Sequence, residues 1–134
     1  TTTPANVSAL LASTLGEEGE SWFELIGAGD IVPAKKPAPD IYDYALKKMG
    51  LDPSDCLAFE DSLNGIRSSR GANLKTIITV NGYTREDDFS EAALVLDQFG
   101  EPDAPCQVLG GKAAVFNGTA FLNVDVLQRI HAGV

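Results

Sequence analysis

Three groups of residues in this chain have types and spacings that could do chemistry. Glu60 and Asp61 stand side by side where the apolar run Cys-Leu-Ala-Phe (56–59) ends. If that run is a strand of a parallel α/β sheet, the pair sits at its carboxyl end, where such sheets gather ligands. Two adjacent carboxylates are costly there unless a cation compensates them. Hard oxygen donors suit Mg2+, which takes one or two protein carboxylates together with waters and phosphate oxygens. The plainer alternative is a solvated acidic pair. Lys36 lies in Ala-Lys-Lys-Pro-Ala-Pro-Asp (34–40), where Pro37 and Pro39 stiffen the backbone. An ammonium held at that place neutralises a phosphate or a nucleophilic carboxylate. Lys35 has less reason to point inward, and two solvated lysines are the alternative. Thr1, Thr2 and Thr3 precede a helix start. Their hydroxyls and the helix N–H groups form an anion site, or Thr3 simply caps the helix.

The elements that must position these residues follow from periodicity and punctuation. Thr3-Pro4 is a capping residue followed by Pro at the first helical position, and Val7, Leu10, Leu11 and Leu15 recur at helical spacing up to Gly16. A short helix is expected over 21–23 and a strand over 24–28. Pro39 opens a helix carrying Ile41, Ala45, Leu46 and Met49, which Gly50 closes. Asp52-Pro53-Ser54 reads as a turn, 56–59 as a strand, and Ser62 as the cap of a helix reaching about Arg70. Residues 76–80 are β-branched and continuous, which fits a buried parallel strand. Residues 93–96 are a further strand and 123–131 a terminal helix, whereas 100–118, rich in Gly and Pro, carries no assignable element. Strands alternating with helices predict an α/β fold with a parallel sheet.

Composition narrows the function classes. The chain has 134 residues, is 44% hydrophobic and carries a formal charge of -9. That suffices for one globular domain with a core, and the acidity argues against nucleic acid or anionic membranes as partners. No apolar run approaches the roughly 20 residues of a membrane span. Cys56 reads as a small buried hydrophobe and Cys106 as a loop residue. Two such cysteines make no disulfide framework, which favours a reducing compartment: the cytoplasm, or the plastid stroma in a phototrophic eukaryote.

The combination of motifs is more specific than any one of them. Lys-Lys-Pro-Ala-Pro-Asp-Ile-Tyr (35–42) followed by Ala-Phe-Glu-Asp-Ser-Leu-Asn-Gly-Ile-Arg-Ser-Ser (58–69) resembles the haloacid dehalogenase superfamily, and within it the branch of CbbY, β-phosphoglucomutase and phosphoglycolate phosphatase. Thr-Thr-Thr-Pro-Ala-Asn-Val (1–7) is similar to the second motif of the CbbY-type members, and 93–102 fits the same subgroup. The resemblance implies a Rossmann-like core and roles for particular residues. Thr1 would bind the transferring phosphoryl group, helped by the Thr2 backbone. Lys36 would steady phosphate and nucleophile, and Asp61 would hold Mg2+ with Glu60 beside it. Ser62 and Asn64 would shape the loop. The implied reaction is phosphoryl transfer through an aspartyl-phosphate, then attack of water, on a small phosphorylated sugar or other organic phosphate. A phosphosugar mutase is the alternative reaction, and a non-catalytic fragment that binds phosphate and Mg2+ is a further one.

The family's first motif, Asp-x-Asp after an apolar strand, has no counterpart in this chain; Asn123-Val124-Asp125 is its nearest echo. With no initiator Met, the expectation is a C-terminal part of the core (1–103) followed by an extension (104–134), lacking the first-motif strand and the helical cap domain. The sheet would then carry a gap two strands wide. Association with a separate N-terminal half or with a second copy would cover it. His131 is expected to serve as a favourable charge at a helix C-terminus. Trp22 should be core or domain-interface packing, and Arg85 a loop residue that either touches substrate or is solvated.

Overall fold

The computed structural model describes residues 3–133. Its first helix, α1 (Pro4–Leu15), begins as the sequence dictates: Thr3 Oγ1 accepts from Asn6 N at 3.3 Å, and Pro4 opens the first turn. A 3-10 turn at Gly19–Trp22 follows. Helix α2 (Asp40–Met49) starts after Pro39 and ends on Gly50 in the left-handed region, φ 65°, where a glycine carries no Cβ penalty. Asp52 caps a short 3-10 turn at Pro53–Asp55. Then come β1 (Leu57–Glu60), α3 (Leu63–Gly71), β2 (Lys75–Thr79), β3 (Leu94–Leu96), β4 (Val108–Gly111) and α4 (Val124–Ala132). Ser62 and Asn123 cap α3 and α4 through their side chains.

The sheet has the order β1-β2-β3-β4. The first three strands are parallel, and β4 runs antiparallel to β3. Period-two alternation sends Ile77, Leu94 and Leu96 to one face, where Val126 and Ile130 of α4 and Phe116 cover them. Ile78 and Val95 go to the other face and meet Ile66 of α3 and Phe89. A third cluster, Ala58, Ala72 and Leu74, receives Tyr42 and Leu46 of α2. Fully burying each Ile or Leu is worth about 1.5–3 kcal/mol relative to exposure. Among the described residues the buried hydroxyls are all partnered. Ser69 Oγ and Thr76 Oγ1 lie 2.7 Å apart, and Ser68 Oγ donates to the Ala38 carbonyl at 2.6 Å.

Two readings are corrected. Residues 24–28 form no strand. A strand exists through its ladder, and among the described residues β1 pairs only with β2, so no neighbour stands beside this segment. Residues 108–111 do form a strand, although the Gly-rich stretch around them carried no signal. Gly111 (φ 84°) packs so closely on Ala93 that a Cβ would meet its carbonyl oxygen at 2.4 Å, so close pairing rather than propensity demands the glycine. Val115, Phe116, Val126 and Ile130, all beyond residue 103, share one core with β2 and β3. No helix among the described residues is long and apolar enough to cross a membrane.

Candidate functional site

The site is built at the carboxyl end of β1. Strand β1 delivers Glu60, and the chain turns at once through Asp61 into the Ser62 cap of α3, where Ser62 Oγ accepts from Gly65 N at 3.2 Å. Gly65 is what allows the turn to close over the carboxylate, since a Cβ there would lie 2.0 Å from Glu60 Oε2. Glu60 is therefore pressed beneath α3, with a side chain only 6% exposed. A carboxylate that deep needs compensation. Lys36 Nζ and the Tyr42 hydroxyl provide it, both donating to Oε1.

Lys36 reaches Glu60 from a braced loop. Pro39 abuts Gly71, where a Cβ would meet it at 3.1 Å, and the Ala38 carbonyl takes the Ser68 hydroxyl. Asp40 Oδ2 accepts from Ala34 N at 3.3 Å, tying the two ends of the loop together. The Lys36–Pro37 peptide is cis. The Lys36 ammonium sits 5.4 Å from the centre of the Tyr42 ring. Lys35 pairs instead with Asp30 at 2.7 Å. That hydrogen bond and charge hold the Asp30 carboxyl below its usual range. The Tyr42 phenol is pushed the opposite way: burial first, then the hydrogen bond and charge of Glu60, raise its pKa, so the hydroxyl stays a donor.

Of the residues read from sequence, Lys36 and Glu60 are in contact, and Asp61 stands next to them, exposed and without a hydrogen bond or ion pair among the described residues. Thr1 and Thr2 lie outside the described residues. Thr3 caps α1. Val7 of α1 lines a cavity of about 390 Å³ together with Lys36, Tyr42 and Ile41. Arg85 makes no hydrogen bond or ion pair among the described residues. His131 sits in the last turn of α4 with Nε2 2.7 Å from the Ser54 carbonyl oxygen. Trp22 is 66% exposed and so is not part of the core of this chain. Two residues carry more than the sequence assigned them. Tyr42 was visible as the last residue of the Lys-Pro motif, six positions after Lys36. Gly65 was visible as the glycine of a helix first turn, an unfavourable place for it unless something must approach closely.

The donor set fits a small hard cation. Asp61 is unpartnered among the described residues, and Glu60 keeps Oε2 outside its two hydrogen bonds. Among the described residues no group of three or more His, Cys, Asp or Glu gathers around one point. An ion that relies on one or two carboxylates and completes its shell with water and phosphate is the kind this place suits.

The family model for haloacid dehalogenase-like hydrolases matches residues 1–73, more than half of the chain and every residue just described from α1 through α3. The chain belongs to the haloacid dehalogenase-like hydrolase family. Within it, the chain is similar to protein CbbY of Rhodobacter capsulatus, 54% identical over 92 residues, covering 69% of this chain and 40% of that protein. The crystal structure of CbbY from Rhodobacter sphaeroides in complex with phosphate matches with a TM-score of 0.70 at 43% identity, over 73% of this chain and 44% of that one. A variant of the same protein in complex with xylulose-(1,5)bisphosphate matches with a TM-score of 0.71, over 76% and 45%. The chain thus falls in the CbbY-like branch of the family and has its Rossmann-like α/β fold, while spanning less than half the length of these relatives.

Proposed function

We propose that this chain forms the phosphate- and metal-holding side of a Mg2+-dependent phosphatase site that acts on sugar phosphates or bisphosphates. The observation that carries the reading is the convergence of Lys36 with Glu60–Asp61 at the carboxyl end of β1. Lys36 places a positive charge where a phosphoryl group loses its own solvation, and the braced 34–40 loop limits the reorganisation this requires. Glu60 accepts a hydrogen bond from that ammonium. Asp61, with Glu60 beside it, would hold Mg2+, which when bound neutralises phosphate oxygens during transfer. Thr1 and Thr2 complete the phosphate contacts in this reading. The phosphate and xylulose-(1,5)bisphosphate complexes of Rhodobacter CbbY support a phosphorylated sugar as the ligand class. No residue of this chain is assigned as the nucleophile.

The test is phosphate release from a panel of sugar phosphates and bisphosphates by the complete coding sequence that contains these residues, with and without Mg2+. Release from at least one ester, abolished by EDTA and reduced at least a hundredfold in Lys36→Met, is expected from the loss of a preorganised charge. Absence of release from every ester sinks the reading. The 134-residue chain by itself is expected to bind orthophosphate with Mg2+ and to release none from esters.

A further inference from the structure

The contact between Lys36 and Glu60 has a weakness that a third residue corrects. Glu60 is deeply buried, but Lys36 is 40% exposed. An ion pair with one wet partner is worth little, because solvent screens it and a flexible four-carbon stem resists being held. The pair alone would not fix the ammonium in one place. Tyr42 is the opposite kind of residue. Its ring is packed with Leu46 against Ala58, Ala72 and Leu74, in the cluster where α2 meets α3 and the sheet. Only two torsions separate its hydroxyl from the backbone, so the rigidity of that cluster extends to the phenol oxygen. The hydroxyl donates to the same Glu60 oxygen that takes the lysine, and the ring lies beside the ammonium.

We propose that Tyr42 is the positioning residue of this site, its hydroxyl fixing Glu60 Oε1 and its ring supporting the Lys36 ammonium, so that the lysine is presented in one orientation. The Tyr42 hydroxyl is already engaged with Glu60 in this arrangement, so Tyr42 acts through Lys36 and Glu60. The ring serves packing and the cation contact, and the hydroxyl serves Glu60. Tyr42→Phe separates the two, because it keeps the ring and removes only the donor. The value of Lys36 to a phosphoryl group rests on the reading proposed above, but its positioning by Tyr42 does not.

The experiment therefore has arms that fail separately. In the unaltered chain, NMR should show a slowly exchanging Tyr42 hydroxyl proton with a nuclear Overhauser contact to the Lys36 Cε protons. A hydroxyl in fast exchange with water, lacking that contact, overturns the proposal, and this arm needs no variant to fold. In Tyr42→Phe, the order parameter of the Lys36 Cε methylene should fall while those of the Leu46 and Leu74 methyl groups stay put. An unchanged Lys36 order parameter overturns the proposal even if the variant melts earlier, since a packing role predicts only the earlier melt. The third arm is titration with inorganic phosphate in the presence of Mg2+, where Tyr42→Phe should weaken binding about tenfold, the loss expected for one hydrogen bond to a charged group. If the unaltered chain binds no phosphate, the phosphatase reading is damaged, and the first two arms still decide the role of Tyr42.

Discussion

The two ends of this chain are packed very differently. From β1 onward, strand and helix residues interlock: Ile77, Leu94 and Leu96 are sealed between the sheet and α4, and Ile66 and Ile78 on the opposite face. Before α2, helix α1 buries no residue, Leu10 is 61% exposed, and Trp22 and Phe23 face solvent. Helix α1 is the most apolar of the four described α-helices and the least amphipathic, and it closes over little. Apolar content alone does not make a helix part of a core, which needs an apolar stripe with a surface to meet it. The candidate site lies on the seam. Glu60 and Asp61 come from the dense side. Lys36 comes from the sparse side, but Ser68, Gly71 and Tyr42 clamp its loop to the dense one.

The contrast is sharpest in the core itself. Leu94→Ala should destabilise the chain by about 2–5 kcal/mol, as emptying a closed core does. Leu10→Ala should stay within about 0.5 kcal/mol, as at an exposed position. Paired urea melts check both, and equal losses would erase the distinction between the two regions. At the seam, Gly65→Ala sets two effects against each other. Alanine raises helix propensity by about 1 kcal/mol, but its Cβ would collide with Glu60 Oε2. We expect overpacking to win, with a net loss of about 1–2 kcal/mol and weakened phosphate binding, read from the same melts and a phosphate titration. A stabilised variant would mean that Glu60 does not lie beneath α3. Ser68→Ala should cost about 1 kcal/mol for the hydrogen bond to Ala38, and hydrogen exchange should quicken across residues 34–40 ahead of the sheet. Uniform exchange would show that the loop is not held from α3.

The smallest effect is one of pH. The Ser54 side-chain and backbone hydrogen bonds hold the exposed Asp52 carboxyl below its usual range. A carboxyl depressed in the folded state adds stability that is present above its unfolded pKa and disappears as pH falls through the folded one. Melts of the unaltered chain should therefore lose a little stability on acidification below the ordinary carboxylate range, and Asp52→Asn should lose less over the same interval. Identical acid profiles would remove Asp52 from the account.

Much of this architecture was legible because it depends on near neighbours in the chain. Thr3-Pro4, Ser62 and Gly50 mark helix ends through contacts within a few residues, and each does so in the structure. The strands expected at 56–59, 76–80 and 93–96 lie within one residue of their observed places, because a continuous β-branched or apolar run between turns has little else to become. The motif order likewise placed Lys36 and Glu60–Asp61 in one site. The misses share a cause. Residues 24–28 have the composition of a strand and no ladder partner, whereas 108–111 have the composition of a loop and pair with β3.

The sequence by itself determined the α/β class and the main helix boundaries, since these are written in local spacing, and its motifs carried the resemblance to the family. Only the tertiary structure decided that Glu60 is buried, that Tyr42 shares its oxygen with Lys36, that Gly65 must be small, and which apolar segments become strands. Those outcomes depend on what arrives from twenty or more residues away. Burial and ladder pairing are properties of the surface a residue meets, and a linear pattern can request such a surface without naming it.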